Sequence, residues 1–182
     1  MKIVDDLLAI YERRGAVAYF GECVSVTEHA LQSAHFAQRA KAPPALIIAA
    51  LLHDIGHLIE PAPDEIDEWT HDARHEESGA RWLAAHFGPD VSEPVRLHVA
   101  AKRYLCATDL GYAKVLSPAS VKTLQLQGGA MSSAEIAAFE AEPHFREAVR
   151  VRRCDDAAKV AGLATADFRH YSALIERLAQ VT

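Results

Sequence analysis

Leu51-Leu52-His53-Asp54-Ile55-Gly56-His57 is the stretch whose reading decides the fold. It closes an apolar run from Ala45 to Leu52 and sets an imidazole beside a carboxylate. The imidazole offers nitrogen to one metal ion, and the two oxygens of the carboxylate can bridge that ion to a second. On a continuous helix His53 and His57 share a face, while Asp54 is turned away by about 100°. His53 and Asp54 therefore converge on metal only near a helix end, where Gly56 would let another backbone approach. His29 precedes the stretch, and His75, His98 and Asp155 follow it. Six potential ligands on separate helical segments predict an all-α bundle closed around a metal centre.

Working outward, helical periodicity dominates and no alternating strand pattern of useful length occurs. The first helix is expected from Ile3 to Arg14, stopped by Gly15. Ser25-Val26-Thr27-Glu28 reads as a capping box opening a helix to about Lys41, with His29 in its first turn. Pro43 and Pro44 start one helix carrying His53, Asp54 and His57 and ending before Pro61. A helix from about Asp72 stops at Gly88, and Ser92 with Pro94 opens another through about Leu105. Residues 106–131, with Gly111, Pro118, Gly128 and Gly129, suit a lid or substrate loop with a short helix from Pro118. Ser132 to Glu135 is a second capping box. The last helices are expected over Ser133 to Ala141, Pro143 to Val160 and Ala166 to Gln180. Residues 1–182 read as a single domain, without internal repeats.

Composition narrows the function. At 182 residues and 50% hydrophobic the chain is long enough for one well-packed domain and short for two. A formal charge of -6 argues against a general nucleic-acid partner. A local basic pocket is still possible, because Lys102, Arg103, Lys114, Lys122, Arg150, Arg152 and Arg153 fall in the second half. Cys23, Cys106 and Cys154 are odd in number and form no metal-type pair, which fits a reduced cytoplasmic setting. The Asp5-Asp6 pair stands where a secretory signal needs its apolar core, and no apolar run is long enough for a membrane span.

Of the ten histidines, His35, His86, His144 and His170 read as surface or hydrogen-bonding residues. His71 competes with His75, since the two have the spacing of a zinc-protease helix. The glutamate that should directly follow the first of that pair is missing.

The ordered pattern His29, His53-Asp54, His75, His98, Asp155 resembles the HD-domain superfamily of all-helical metalloproteins. Tyr19-Phe20-Gly21-Glu22, Glu28-His29, His35 to Arg39, His98 to Leu105 and Gln127-Gly128-Gly129 sharpen the resemblance. They are similar to the binuclear iron phosphonate oxygenases of the 2-amino-1-hydroxyethylphosphonate dioxygenase type, relatives of myo-inositol oxygenase. The similarity extends from about Asp5 to Lys159. It implies a mixed-valent Fe(II)/Fe(III) pair bridged by Asp54, with O2 as co-substrate. The substrate would be a small organophosphonate such as 2-amino-1-hydroxyethylphosphonate, cleaved at its C–P bond to phosphate and glycine in phosphonate catabolism. It also implies that Tyr19 ligates the ferric ion before substrate arrives, that Glu22 receives the substrate amine, and that Ser120, Lys122 and Gln127 line the phosphonate pocket. His57 would belong to the pocket rather than supply a seventh ligand.

The residues give independent support for an anionic substrate. Lys102 is four residues after His98 and Arg152 three before Asp155, so each cation shares a helix face with a ligand. Two such cations would hold an anion with several oxygens, each contacting substrate and not metal. A hydrolase of the same superfamily, acting on a nucleotide or other phosphate ester, is the alternative. A non-catalytic, metal-stabilised signalling domain is the third reading, disfavoured by a complete ligand set.

Overall fold

The computed structural model describes residues 2–19, 21–60 and 74–180. Within them the chain forms α1 (Lys2–Arg14), α2 (Val26–Arg39), α3 (Pro44–Leu52), α4 (Ile55–Ile59), α5 (His75–Ala84) and α6 (Pro89–Thr108). There follow α7 (Pro118–Leu126), α8 (Ser133–Glu140), α9 (Phe145–Ala157) and α10 (Ser172–Leu178). Single 3-10 turns occupy Tyr112–Lys114 and Phe168–Tyr171. No strand is formed among the described residues, whose β pairing amounts to two isolated bridges, Ala18 with Ser25 and Phe87 with Ala179. The all-α expectation holds.

α3 is apolar on every side, and such a helix is stable only when surrounded. It packs against α2, α6, α9 and α10, and Ile48, Ala49, Ala50, Leu51 and Leu52 are fully buried. Each fully buried Leu or Ile contributes about 1.5–3 kcal/mol, while Ala49 and Ala50 keep the backbone of α3 accessible to its neighbours. α6 packs on α5 and α9, and α2 on α9. The ligand-bearing helices thus surround the C-terminal end of α3.

Both capping boxes form, at Ser25/Glu28 and Ser132/Glu135, and α7 begins at Pro118 as its proline suggests. Several expected elements differ. The helix expected to run through His57 breaks at Asp54, whose φ of -102° and ψ of 13° leave the helical region. The break turns His53 and Asp54 inward together, which a continuous helix forbids. The carbonyl of Leu51, just before the break, accepts a bond from the Tyr11 hydroxyl at 3.1 Å.

α5 starts at His75 and not near Asp72, because Arg74 has a left-handed φ of 50°. His71 and Asp72 lie outside the described residues. α6 starts at Pro89, with Gly88 as its cap and Pro94 inside the helix. Pro94 removes a bond to the carbonyl of Asp90, which is exposed to water, so the helix tolerates it. α9 ends at Ala157, short of the expected Val160, because the Ala158 carbonyl is taken by a side chain of α2. The last expected helix divides into the 3-10 turn and α10.

Candidate active site

His29 stands in the first turn of α2, His53 and Asp54 at the break after α3, His75 at the start of α5, His98 in the middle of α6 and Asp155 near the end of α9. All six are buried, and the fold brings all six together. Gly56 makes this possible: a Cβ there would lie 2.0 Å from the His75 carbonyl oxygen, so only glycine lets α5 approach the break.

Three of the four imidazoles are oriented by backbone carbonyls. Nδ1 of His29 donates to Ala158 O at 2.8 Å, that of His53 to Ala50 O at 2.9 Å and that of His98 to Val95 O at 2.7 Å. A carbonyl carries no proton, so Nδ1 is the donor and Nε2 presents a lone pair inward. His75 Nδ1 faces the buried Glu76 carboxylate at 3.6 Å instead.

The Nε2 atoms then meet in pairs, His29 with His53 at 3.2 Å and His75 with His98 at 3.2 Å. Asp54 lies between the pairs. Its Oδ2 is 3.3 Å from His53 and 3.7 Å from His29, and its Oδ1 is 3.2 Å from His75 and 3.5 Å from His98. Asp155 adds to the first pair, 3.4 Å from His29 Nε2 and 3.8 Å from His53 Nε2.

Two groups of three donors therefore share one carboxylate. Facing lone pairs at this separation repel unless a cation lies between them. Burial opposes a charge on His53, yet Asp54 and Asp155 draw its pKa up to about 9. Burial would raise both carboxyls, but His53 with its neighbours holds Asp54 well below the usual range, and Arg152 with His29 does the same for Asp155. The cluster calls for positive charge at its centre. Nitrogen and carboxylate donors in this arrangement fit two first-row transition ions.

Above these groups is a cleft of about 430 Å³, counting its open mouth. Tyr19, Glu22, His57, Lys102, Ser120, Gln127 and Arg152 line it. A tight turn sets the first two: Glu22 N donates to Tyr19 O at 2.7 Å and Gly21 has a φ of 78°. The Tyr19 hydroxyl donates to Asp54 Oδ2 at 2.6 Å, and its ring stacks on His29 at 3.8 Å. Burial, then Asp54, pushes this phenol well above its ordinary pKa. His57 stacks on His75 at 3.9 Å, and burial keeps it neutral. Lys102 Nζ donates to Thr123 Oγ1 at 2.8 Å; burial, then the charge of Arg152, lowers its ammonium to about 7.

Two residues behave otherwise than their spacing suggests. Lys122 is half-buried on α7 and is not among the residues lining the cleft, which come from the Ser120, Thr123, Gln127 face. Arg152 lines the cleft, but its guanidinium is engaged by two carboxylates. Nη1 meets Asp155 Oδ2 at 2.7 Å, Nη2 bonds Asp156, and Nε lies 3.0 Å from the Tyr112 hydroxyl. In this geometry the Arg152 guanidinium is paired with Asp155 and Asp156 while still lining the cleft.

The sequence reading missed Lys159 and Thr123. Lys159 Nζ donates to Ser120 Oγ at 2.9 Å and lies 3.4 Å from Glu22 Oε1. It stands four residues after Asp155, the same offset that singles out Lys102 after His98. Glu22 Oε1 is buried and accepts no hydrogen bond.

The HD domain model matches residues 26–157. The chain is 42% identical over 176 residues to the [1-hydroxy-2-(trimethylamino)ethyl]phosphonate dioxygenase (glycine-betaine-forming) of Leisingera caerulea, covering 97% of this chain and 90% of that protein. It is 48% identical over 163 residues to the hydroxymethylphosphonate dioxygenase of Gimesia maris, covering 87% and 80%. No helix among the described residues is long and apolar enough to cross a membrane.

Proposed function

We propose a substrate from one premise: the chain belongs to the HD-domain family, and to its branch of phosphonate dioxygenases. It is an oxygenase of small phosphonates, and the proposed substrate is a 1-hydroxyphosphonate with a primary amine, 2-amino-1-hydroxyethylphosphonate. With O2 it gives glycine and phosphate. One dioxygen supplies the two oxygen atoms that the products gain, so the reaction balances without an external reductant.

The carrying observation is the pair of three-donor groups joined by Asp54 at the floor of a cleft with Lys102 and Lys159 in its walls. His29, His53 and Asp155 would hold one iron, His75 and His98 the other, with Asp54 between them. Bound there, iron would supply the redox chemistry with dioxygen that no side chain in the cleft provides.

The other roles follow from charge. Lys102, Lys159 and Ser120 bind the phosphonate oxygens by charge-assisted and neutral hydrogen bonds. Arg152 fixes Asp155. His57, held neutral, can accept a hydrogen bond from the substrate hydroxyl. Glu22 Oε1 is buried and accepts no hydrogen bond, with Lys159 Nζ at 3.4 Å as its ion-pair partner, and a carboxylate in that position is suited to share an ammonium N–H from the substrate. A trimethylammonium has no N–H to give and prefers an aromatic cage. Among the described lining residues Tyr19 is the one phenol or phenyl ring, and its hydroxyl is engaged by Asp54.

Oxygen uptake and phosphate release are to be measured on iron-loaded protein with the amino, trimethylammonium and unsubstituted hydroxyphosphonates. The expected order is amino first, with one O2 consumed per phosphate. Phosphate release from a phosphate ester without oxygen uptake would establish the hydrolase instead. A preference for the unsubstituted compound would remove Glu22 from amine recognition.

A further inference from the structure

Lys102 and Arg103 are neighbours on α6, and they hold the same wall of the cleft from two sides. Lys102 reaches Thr123 from within. Arg103 leaves the helix on another side and encloses the turn that follows α7. Its Nε donates to Gly129 O at 2.9 Å, its Nη2 to Glu135 Oε1 at 2.6 Å, and its own carbonyl accepts from Met131 N at 3.3 Å. Glu135 is already fixed as the partner of Ser132 in the capping box of α8. The turn needs left-handed backbone twice, at Gly128 (φ 95°) and Gly129 (φ 74°). A Cβ on Gly128 would stand 3.5 Å from the Arg103 guanidinium, an ordinary packing distance, so the guanidinium lies directly against the turn and the positive φ is what calls for glycine.

The residue directly before this turn is Gln127, which caps the end of α7. Its side chain faces the cleft, with Oε1 buried and accepting no hydrogen bond. Thr123 and Ser120 line the same wall one and two turns earlier. α7 makes few contacts with the helices of the main core, so its place depends on these side-chain ties.

We propose that Arg103 is a positioning residue for substrate: by clamping Gly129 to Glu135 it sets the depth of α7, and so fixes where Gln127 and Ser120 meet the ligand. The inference rests on the reading that this cleft takes the phosphonate. The two bonds diverge from one planar group, a geometry that guanidinium satisfies and a single ammonium does not. Small displacements of such a wall weaken substrate alignment strongly while leaving the metal ligands in place.

The test compares Arg103→Lys and Arg103→Ala with the wild type in the full-length, iron-loaded protein. Both variants are expected to raise KM by about tenfold, to keep iron content, and to exchange the amides of residues 118–131 faster. Arg103→Ala combined with Gln127→Ala should cost little more than the larger single effect, since the two act on one contact. A residue that merely supports the fold would be rescued by lysine and would lower the active fraction without moving KM. Rescue by Arg103→Lys, or an unchanged KM in Arg103→Ala, overturns the proposal. If the wild type turns over no phosphonate, the substrate reading fails, and the clamp is read from the affinity for inorganic phosphate instead. A tenfold loss in Arg103→Lys then supports it, and an unchanged affinity overturns it.

Discussion

Gly56 and His75 touch through their backbones: a Cβ at position 56 would stand 2.0 Å from the His75 carbonyl oxygen. Gly56→Ala must therefore push α5 away from the break after α3. Overpacking of this kind costs about 3 kcal/mol, and here it moves a ligand of one donor group only. The expected result is loss of about half the bound metal, with the His29/His53 group retained. Metal analysis of the purified variant checks it; full metal content would mean that α5 yields without moving His75.

Arg152 bonds Asp155 and Asp156 in a buried setting. Arg152→Ala leaves two carboxylates without their cation, at a cost of about 3–5 kcal/mol, and should reduce metal binding at the His29/His53/Asp155 group. Denaturant unfolding and metal stoichiometry measure the two effects. Normal stability and metal content with a raised KM would make Arg152 a direct phosphonate contact.

The ammonium of Lys102 is lowered to about 7 by burial and then by Arg152, with Asp155 and Asp156 opposing and Lys159 adding to the shift. The charged form binds an anion and prevails below that pH. kcat/KM should then fall as pH rises through about 7, although the second ionisation of the phosphonate acts in the opposite sense. Lys102→Arg, charged throughout, should move the alkaline fall upward. A fall that stays in place in this variant belongs to another group.

Tyr19 donates to the Asp54 oxygen that faces His29 and His53. Its phenol, raised by burial and by Asp54, ionises only beside a strong cation. Ferric protein without substrate should show a visible tyrosinate-to-iron band that fades when substrate is added. Tyr19→Phe should lack the band and keep its iron. A band that survives in that variant assigns the colour to another ligand.

The buried His/Asp cluster was legible in the sequence because each of its members is tied to a helix that announces itself by caps or spacing. Ser25 and Glu28 locate His29, and the apolar run locates His53. The break at Asp54 was hidden, since Ile55 and Leu58 continue the apolar pattern across it. Pro94 misled about α6 because a proline near an exposed first turn does little damage. Lys159 has the four-residue offset from Asp155 that marks Lys102 after His98, but it lies beyond the end of α9, where the bond from His29 to the Ala158 carbonyl and not helix geometry orients the segment. Lys122 lost to Thr123 by one position on α7, a difference of a third of a turn that spacing does not reveal without knowing which face looks inward.

The donors come from α2, the end of α3, α5, α6 and α9, so bound metal acts as a cross-link joining segments that are distant along the chain. An ion that binds the folded chain and not the unfolded one stabilises it in proportion to the logarithm of its free concentration. Loading and folding are then one linked equilibrium. A chelator would lower the melting temperature of the whole bundle as well as its activity, and cells short of the metal would hold less of the folded protein, not just less of the active one.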